Sequence, residues 1–97
     1  MSVSEKTIEK ELCRQVKAIG GECRKWVSPG CTGVPDRIVV LPGGRVHFVE
    51  LKAPGRSEKP RQKTVIRELQ KLGCSVQKID SLEGVSLFIE TVKAERF

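Results

Sequence analysis

The sequence predicts an α/β fold in which a small mixed sheet carries helices on its faces. Three segments repeat apolar residues at helical spacing, and four short runs are rich in β-branched residues. The predicted order along the chain is α-β-β-β-α-β-α. A helix therefore connects the third and fourth strands, and we expect this crossover to be right-handed and the two strands to be parallel.

The first helix is predicted over residues 4–19, and a short strand over residues 22–27. Ser4 suits the N-cap, Glu5 lies near the positive N-terminal end, and Gly20-Gly21 is a stop signal. The apolar stripe expected to face the core is Ile8, Leu12, Val16 and Ile19. A glycine-bearing loop over residues 28–35 follows, and its glycines allow close backbone approach to a substrate.

The centre of the chain is predicted to be a β-hairpin. Arg37–Leu41 and Val46–Leu51 are β-rich runs that flank Pro42-Gly43-Gly44. Both runs are apolar in the middle, whereas charges gather at the end away from the turn, namely Asp36, Glu50 and Lys52. Since buried carboxylates cost free energy unless a metal ion or another cation compensates them, this end of the hairpin is interpreted as a site.

The register of the hairpin decides whether the two carboxylates share a face. Asp36 lies opposite Glu50 only if paired positions sum to 86. A three-residue loop over residues 42–44 gives that sum, whereas a two-residue turn gives 87 and separates the carboxylates. Pro suits a type I turn and Gly the left-handed bulge position that follows. We therefore predict the three-residue loop or a compensating bulge.

The chain after the hairpin is predicted to form a basic loop, a helix, a strand and a last helix. The loop covers residues 53–60, the helix 61–72 and the strand 74–79, and Pro60 suits the first helical turn. The apolar stripe of the first of these helices is Val65, Ile66, Leu69 and Leu72. Asp80 or Ser81 caps the last helix. Its apolar residues are Leu82, Val85, Ile89 and Val92, broadened by Leu87 and Phe88.

The composition predicts one domain over residues 1–97 that does not enter a membrane. No apolar run approaches the roughly 20 residues that cross a bilayer. The N-terminal run MSVSEKTIEKE resembles neither a signal peptide nor a transit peptide, so we expect a cytoplasmic protein. The spacing of Cys13, Cys23, Cys31 and Cys74 does not indicate zinc, and these thiols are expected to be reduced and mostly packed in the core. His47 is interpreted as a satisfied or half-exposed strand residue.

The net charge of +6 makes nucleic acid the first candidate partner. The basic residues predicted to contact its backbone are Arg24, Lys25, Arg37, Arg56, Lys59, Arg61 and Lys63. A basic, non-catalytic nucleic-acid-binding module is the alternative from another class. With three Phe, one Trp and no Tyr, however, the chain has little material for a base-stacking platform.

The charged end of the hairpin suits hard-cation chemistry. Two carboxylates and a backbone oxygen favour Mg²⁺ or Mn²⁺ over zinc. Such a cation polarises a phosphodiester and lowers the pKa of a bound water. Lys52 shares a face with Glu50, and we expect it to position water or to stabilise transition-state charge rather than act as a base.

Pro35-Asp36 followed by Glu50-Leu51-Lys52 is the pattern of the PD-(D/E)xK nucleases, here with a Glu-bearing helix upstream and a Gln-bearing helix downstream. The run GVPDRIVVLPGG…FVELKAPG…PRQ…LGCSV closely resembles the VRR-NUC domain in its compact stand-alone bacteriophage form, over residues 4–80. The resemblance implies a restriction-endonuclease-like αβββαβ core, here with an extra C-terminal helix. For a phage protein, the cytoplasm would be that of a bacterial host.

The resemblance also implies the site residues and the activity. Its catalytic residues would be Asp36, Glu50, Lys52, Gln62 and Glu9. Asp36, Glu50, Glu9 and the carbonyl of Leu51 would bind Mg²⁺ or Mn²⁺, with Glu5 competing for the role of Glu9. The implied activity is a homodimeric endonuclease for structured DNA, foremost four-way junctions, without a small-molecule cofactor. Flaps, duplex ends and RNA are the alternative substrates.

Overall fold

The computed structural model describes residues 3–95, which form three helices and four strands in the order α-β-β-β-α-β-α. The elements are α1 Glu5–Ala18, β1 Glu22–Lys25, β2 Arg37–Leu41, β3 Arg45–Leu51, α2 Pro60–Lys71, β4 Val76–Ile79 and α3 Leu82–Lys93. The predicted α/β class is confirmed, with its αβββαβ core and extra C-terminal helix. Within residues 3–95, no helix combines the length and the apolar character needed to span a bilayer.

The strands form one mixed sheet in the order β1-β2-β3-β4. β2 pairs antiparallel with both β1 and β3, whereas β4 joins β3 in parallel. The helix α2 makes the connection between those parallel strands, as predicted. The open end of the β2–β3 hairpin therefore lies in the middle of the sheet, where both neighbouring strands flank it.

The hairpin has the predicted register but not the predicted turn type. Arg37 lies opposite Val49 and Leu41 opposite Arg45, so paired positions sum to 86 and three residues form the loop. The Gly44 amide donates to the Leu41 carbonyl at 3.1 Å. Gly43, in the second central position of this turn, has a φ of 87°. A type I turn excludes that value and a type II turn requires it, so the type I prediction was wrong.

The hydrophobic core lies between one face of the sheet and the pair of helices α1 and α3. Its buried members are Ile8, Leu12, Val16, Val39, Leu41, Val49, Leu51, Ile79, Val85, Phe88, Ile89 and Val92. Ser4 and Ser81 cap the two helices, since each hydroxyl accepts a hydrogen bond from an amide in the first turn. Because side chains alternate along a strand, Glu50 points to the opposite face from Val49 and Leu51.

Three leucines predicted to be buried are exposed instead, namely Leu72, Leu87 and, at 36% exposure, Leu82. Leu72 is 80% exposed because α2 ends before it and packs through Val65. Leu87 is 69% exposed because the buried stripe of α3 runs through positions 85, 88, 89 and 92. Position 87 lies about 200° around the helix from position 85, on the solvent side.

Within residues 3–95, the contacts of the single histidine and of the cysteines are those of structural residues. His47 is buried, with Nδ1 2.6 Å from Ser75 Oγ and Nε2 3.3 Å from Glu95 Oε1. This confirms the interpretation of a satisfied strand residue. The four cysteines are free and partly buried, and the Cys13 and Cys23 sulfurs lie 3.0 Å apart between α1 and β1.

Candidate active site

The hairpin register brings Asp36 to the end of β3. The Asp36 carboxylate accepts a hydrogen bond from the Leu51 amide at 2.9 Å, and its carbonyl accepts one from the Trp26 amide at 3.0 Å. Continuing the register by one step places Asp36 opposite Glu50. Opposed residues of an antiparallel pair share a face, so both carboxylates lie on the side of the sheet away from α1 and α3.

Glu50 is a carboxylate without exposure to solvent. Its side chain is 0% exposed, and neither of its oxygens receives a directed hydrogen bond from residues 3–95. Within residues 3–95 its ion-pair partner is Lys52, whose Nζ lies 2.9 Å from Oε2. A buried carboxylate in this condition is costly to the fold, and such groups are characteristic of functional sites.

The protonation of Glu50 and Lys52 reflects their shared surroundings. Burial, together with a smaller contribution from the charge of Asp36, raises the pKa of Glu50 to about 7, because Lys52, which acts to lower it, offsets these effects only in part. Burial acts to lower the pKa of Lys52, but the close ion pair with Glu50 and the charges of Asp36 and Glu5 outweigh it, so the pKa is raised. Lys52 is therefore an ammonium ion at neutral pH and a poor general base.

The donor set at this end of the hairpin fits a hard divalent cation. Two adjacent carboxylates, one of them with buried oxygens that lack hydrogen-bond donors, provide ligands that Mg²⁺ prefers. Nowhere in residues 3–95 are three acidic, histidine or cysteine side chains arranged to hold a metal ion. The remaining ligands would therefore have to be water, backbone oxygen and substrate phosphate, which is usual for Mg²⁺.

The structure does not bring Glu9 to the two carboxylates. Glu9 Oε2 lies 3.0 Å from Arg37 Nε, and Arg37 also donates to the Cys23 carbonyl. Arg37 points to the α1 side of the sheet, because it alternates with Asp36 along the strand. Glu5, one helical turn earlier, instead borders the cleft beside Lys52 and contributes to the raised pKa of that lysine. Arg37 is thus held in an ion pair within the protein.

Two clefts meet at Lys52. One, of about 380 Å³, is lined by Thr32, Gly33, Lys52, Lys59, Arg61 and Gln62. The other, of about 330 Å³, is lined by Glu5, Lys52, Ala53, Arg56, Ser57 and Lys59. Gln62 also supports the start of α2, since its Oε1 accepts from the Lys59 amide at 3.3 Å. The predicted residues Arg56, Lys59 and Arg61 are therefore gathered around Lys52.

The other predicted basic residues lie away from these clefts. Arg24 is exposed and forms an ion pair with Glu22 at 2.6 Å. Lys25 and Lys63 are exposed on β1 and α2. The sequence analysis missed Lys78, which the parallel register places beside Glu50 and whose ammonium lies 3.8 Å from Glu58. Only the register between β3 and β4 could have identified it, because these residues are far apart in sequence.

Gly33 joins the glycine-bearing loop to the start of α2, and Gly33→Ala is expected to lower cleavage several-fold. A Cβ at this position would lie 2.9 Å from the Arg61 carbonyl oxygen, so it would push the loop away from α2 and Lys52. Its φ of 88° adds strain, for a total cost of about 2 kcal/mol. Cleavage rate and urea unfolding would measure the two effects.

Gly30→Ala is the matched control for Gly33→Ala. Gly30 has a similar φ of 81°, but a Cβ there meets nothing within 4 Å. We expect a loss of about 1 kcal/mol in unfolding free energy and unchanged cleavage. Equal effects of the two substitutions on cleavage would show that backbone strain alone, rather than the contact with Arg61, explains the result.

Comparisons with known proteins find a family model, a similar protein and a similar solved structure. The family model described as the VRR-NUC domain matches residues 2–82. A protein of Acyrthosiphon pisum secondary endosymbiont phage 1, named "Putative nuclease p44", is 48% identical over 85 residues, which cover 88% of this chain and 91% of that protein. A solved structure described as a VRR_NUC domain superposes with a TM-score of 0.84 at 30% identity, covering 91% of this chain and 97% of the other.

Proposed function

The chain belongs to the VRR-NUC family of nucleases, and from that premise we propose that it is a metal-dependent endonuclease for structured DNA, foremost four-way junctions, which acts as a homodimer. Glu50 carries this proposal. A fully buried carboxylate beside Asp36, whose ion-pair partner within residues 3–95 is Lys52, destabilises the fold unless a bound cation balances the remaining negative charge. The location of the protein would be the cytoplasm of a bacterial host.

Asp36, Glu50 and the Leu51 carbonyl would hold Mg²⁺ or Mn²⁺. A bound cation of this kind polarises a phosphodiester and lowers the pKa of a coordinated water. Asp36 is held in place for this role by the Leu51 amide. Glu50 must lose its proton to become a ligand, and because its pKa is about 7 this occurs close to neutral pH.

Lys52 would stabilise the negative charge that builds up on the phosphate during hydrolysis. Its ammonium remains protonated, and it is held by Glu50 at the meeting point of the two clefts. A preorganised charge of this kind contributes most where water is excluded. Gln62 lines the same cleft as Lys52 and is assigned to positioning of substrate or water.

Glu5 is the better candidate for the N-terminal acid of the site. It lines the cleft with Lys52, whereas Glu9 is neutralised by Arg37 on the α1 side of the sheet. Because α1 begins at Glu5, this carboxylate lies at the edge of the site rather than along the helix flank. From there it could bind a water ligand of the cation without joining the carboxylate pair.

A junction-cutting role is supported by the positive charge around the site and fits the symmetry of the proposed dimer. Arg56, Lys59 and Arg61 line the clefts that flank Lys52, where they can contact phosphates on either side of the scissile bond. The net charge of +6 favours polyanion binding that weakens with salt. A two-fold dimer would present two such sites to two strands of one junction.

An end-labelled cleavage assay tests the proposed function. A four-way junction, a flap, a matched duplex, single strands and the RNA duplex of the same sequence would be incubated with Mg²⁺, Mn²⁺ or EDTA. We expect symmetric cuts on the junction with either cation and none with EDTA. Cutting of flaps, duplex or RNA in preference to the junction would overturn the substrate assignment. Binding without cleavage under every metal would overturn the nuclease assignment for this chain.

A further inference from the structure

Trp26 lies in the same cross-strand row as the carboxylates. Its amide donates to the Asp36 carbonyl at 3.0 Å, and the β1–β2 register continues to place it directly opposite Asp36. Since Asp36 in turn lies opposite Glu50, these three residues follow one another across the sheet on one face. Neighbouring strands are about 4.8 Å apart, so the backbone of Trp26 lies one strand spacing from Asp36 and two from Glu50.

The indole of Trp26 packs against another aromatic ring but remains partly open to solvent. Its ring packs on Phe48, with centroids 5.0 Å apart and planes tilted by 37°. Trp26 remains partly exposed. The next residue, Val27, is 72% exposed. The helix on this face, α2, packs against β4 at the opposite edge of the sheet.

We propose that Trp26 stacks on the base of a nucleotide next to the scissile phosphate and thereby selects DNA in which that base is unpaired. This inference rests on the proposed function and specifies what the site recognises. Aromatic faces bind bases without regard to sequence, and Phe48 holds the indole so that little rotamer freedom is lost.

The selectivity follows from the cost of exposing a base. In a matched duplex each base is stacked on both of its faces and paired along one edge. Neither face is therefore available to an indole. Extrusion of a base costs a few kcal/mol in a duplex and least where the base is already unpaired, as at a branch or flap. Trp26 would therefore discriminate by structure rather than by sequence, and the deficit of aromatic residues elsewhere would not weaken it.

Tryptophan fluorescence offers a direct readout, because Trp26 is the single tryptophan of the chain. The Lys52→Ala protein with Mg²⁺ would be titrated with two labelled duplexes that differ by one unpaired thymine, and DNA binding would be followed separately by anisotropy. We expect quenching at saturation with the unpaired base and little with the matched duplex. Equal fluorescence for both DNAs at saturation would overturn the proposal.

Substitutions give the second readout. Trp26→Leu is expected to lower cleavage of branched DNA about tenfold while changing the binding of matched duplex less than twofold, and Trp26→Phe is expected to retain most of the activity. Val46→Ala is the matched control, since Val46 is an apolar residue of the same face, 43% exposed, at the turn end of the hairpin. It should cleave all substrates as the wild type does.

The outcomes separate this inference from the proposed function. If Trp26→Leu cleaves branched DNA at the wild-type rate, base stacking is overturned and the nuclease remains. If the wild type cleaves nothing but unpaired bases still quench Trp26, the nuclease assignment fails and base recognition remains. If Trp26→Leu and Val46→Ala both convert a dimer to a monomer in light scattering, the face is a self-association surface and the base-stacking inference is overturned.

Discussion

Lys52→Ala is expected to reduce the rate of DNA cleavage by about 10²- to 10³-fold at saturating metal and substrate. The ammonium of Lys52 lies 2.9 Å from Glu50 and remains protonated, so its contribution is fixed positive charge beside the phosphate. Because that charge acts mainly in the transition state, the loss should appear in kcat rather than in KM. Single-turnover cleavage of a junction would measure it.

Lys59→Ala is the matched control for Lys52→Ala. Lys59 lines both clefts but is exposed and lies outside the hairpin. Its loss should weaken DNA binding several-fold, mostly at low salt, and leave the saturated rate nearly unchanged. A Lys52→Ala protein that retained the wild-type rate within tenfold would remove Lys52 from the catalytic machinery. A wild-type rate that rose steeply above pH 9 would instead indicate a general-base role for Lys52.

Glu50→Gln is expected to abolish cleavage and at the same time to stabilise the folded protein. In the folded state the pKa of Glu50 is about 7, above its ordinary value of 4.5. The folded state therefore holds a proton more tightly than the unfolded chain. The stability from this proton is complete below pH 4.5 and is lost as the pH rises to about 7. Glutamine resembles the protonated side chain and avoids this loss, a difference of up to about 3 kcal/mol above pH 7.

Urea unfolding at pH 5 and pH 8 in EDTA would measure the effect of Glu50→Gln. We expect similar free energies of unfolding for mutant and wild type at pH 5, and a more stable mutant at pH 8. Mg²⁺ should then stabilise the wild type and not the mutant, because metal binding favours the folded state. Glu68→Gln, an exposed substitution on α2, should change neither quantity. A Glu50→Gln protein less stable at pH 8 would show that the ion pair with Lys52 outweighs the cost of burial.

Much of the fold follows from local patterns in the sequence. The apolar stripe of α1 and the serine caps of α1 and α3 lie where short-range rules place them. The hairpin register was also predictable, because side chains alternate with a period of two and only a loop of odd length puts Asp36 opposite Glu50. The turn type was open to the same reasoning, since Pro-Gly favours type II, and the type I prediction overlooked it.

The sequence could not show which N-terminal glutamate borders the site. Glu5 and Glu9 lie one turn apart on the same side of α1, so helical periodicity treats them alike. The orientation of α1 relative to the sheet decides that Glu9 pairs with Arg37 while Glu5 borders Lys52. That orientation depends on how the core packs, and no spacing within α1 encodes it.

By itself, the sequence determined the elements, the hairpin register and the carboxylate–lysine cluster at the open end of that hairpin. The tertiary structure decided the full burial of Glu50, its raised pKa and the row that places Trp26 beside Asp36. The physical reason is the sequence separation over which each effect acts. Periodicity and turn chemistry act over a few neighbouring residues, whereas burial and charge coupling are set by elements that are distant in the chain and meet only when the sheet and helices pack.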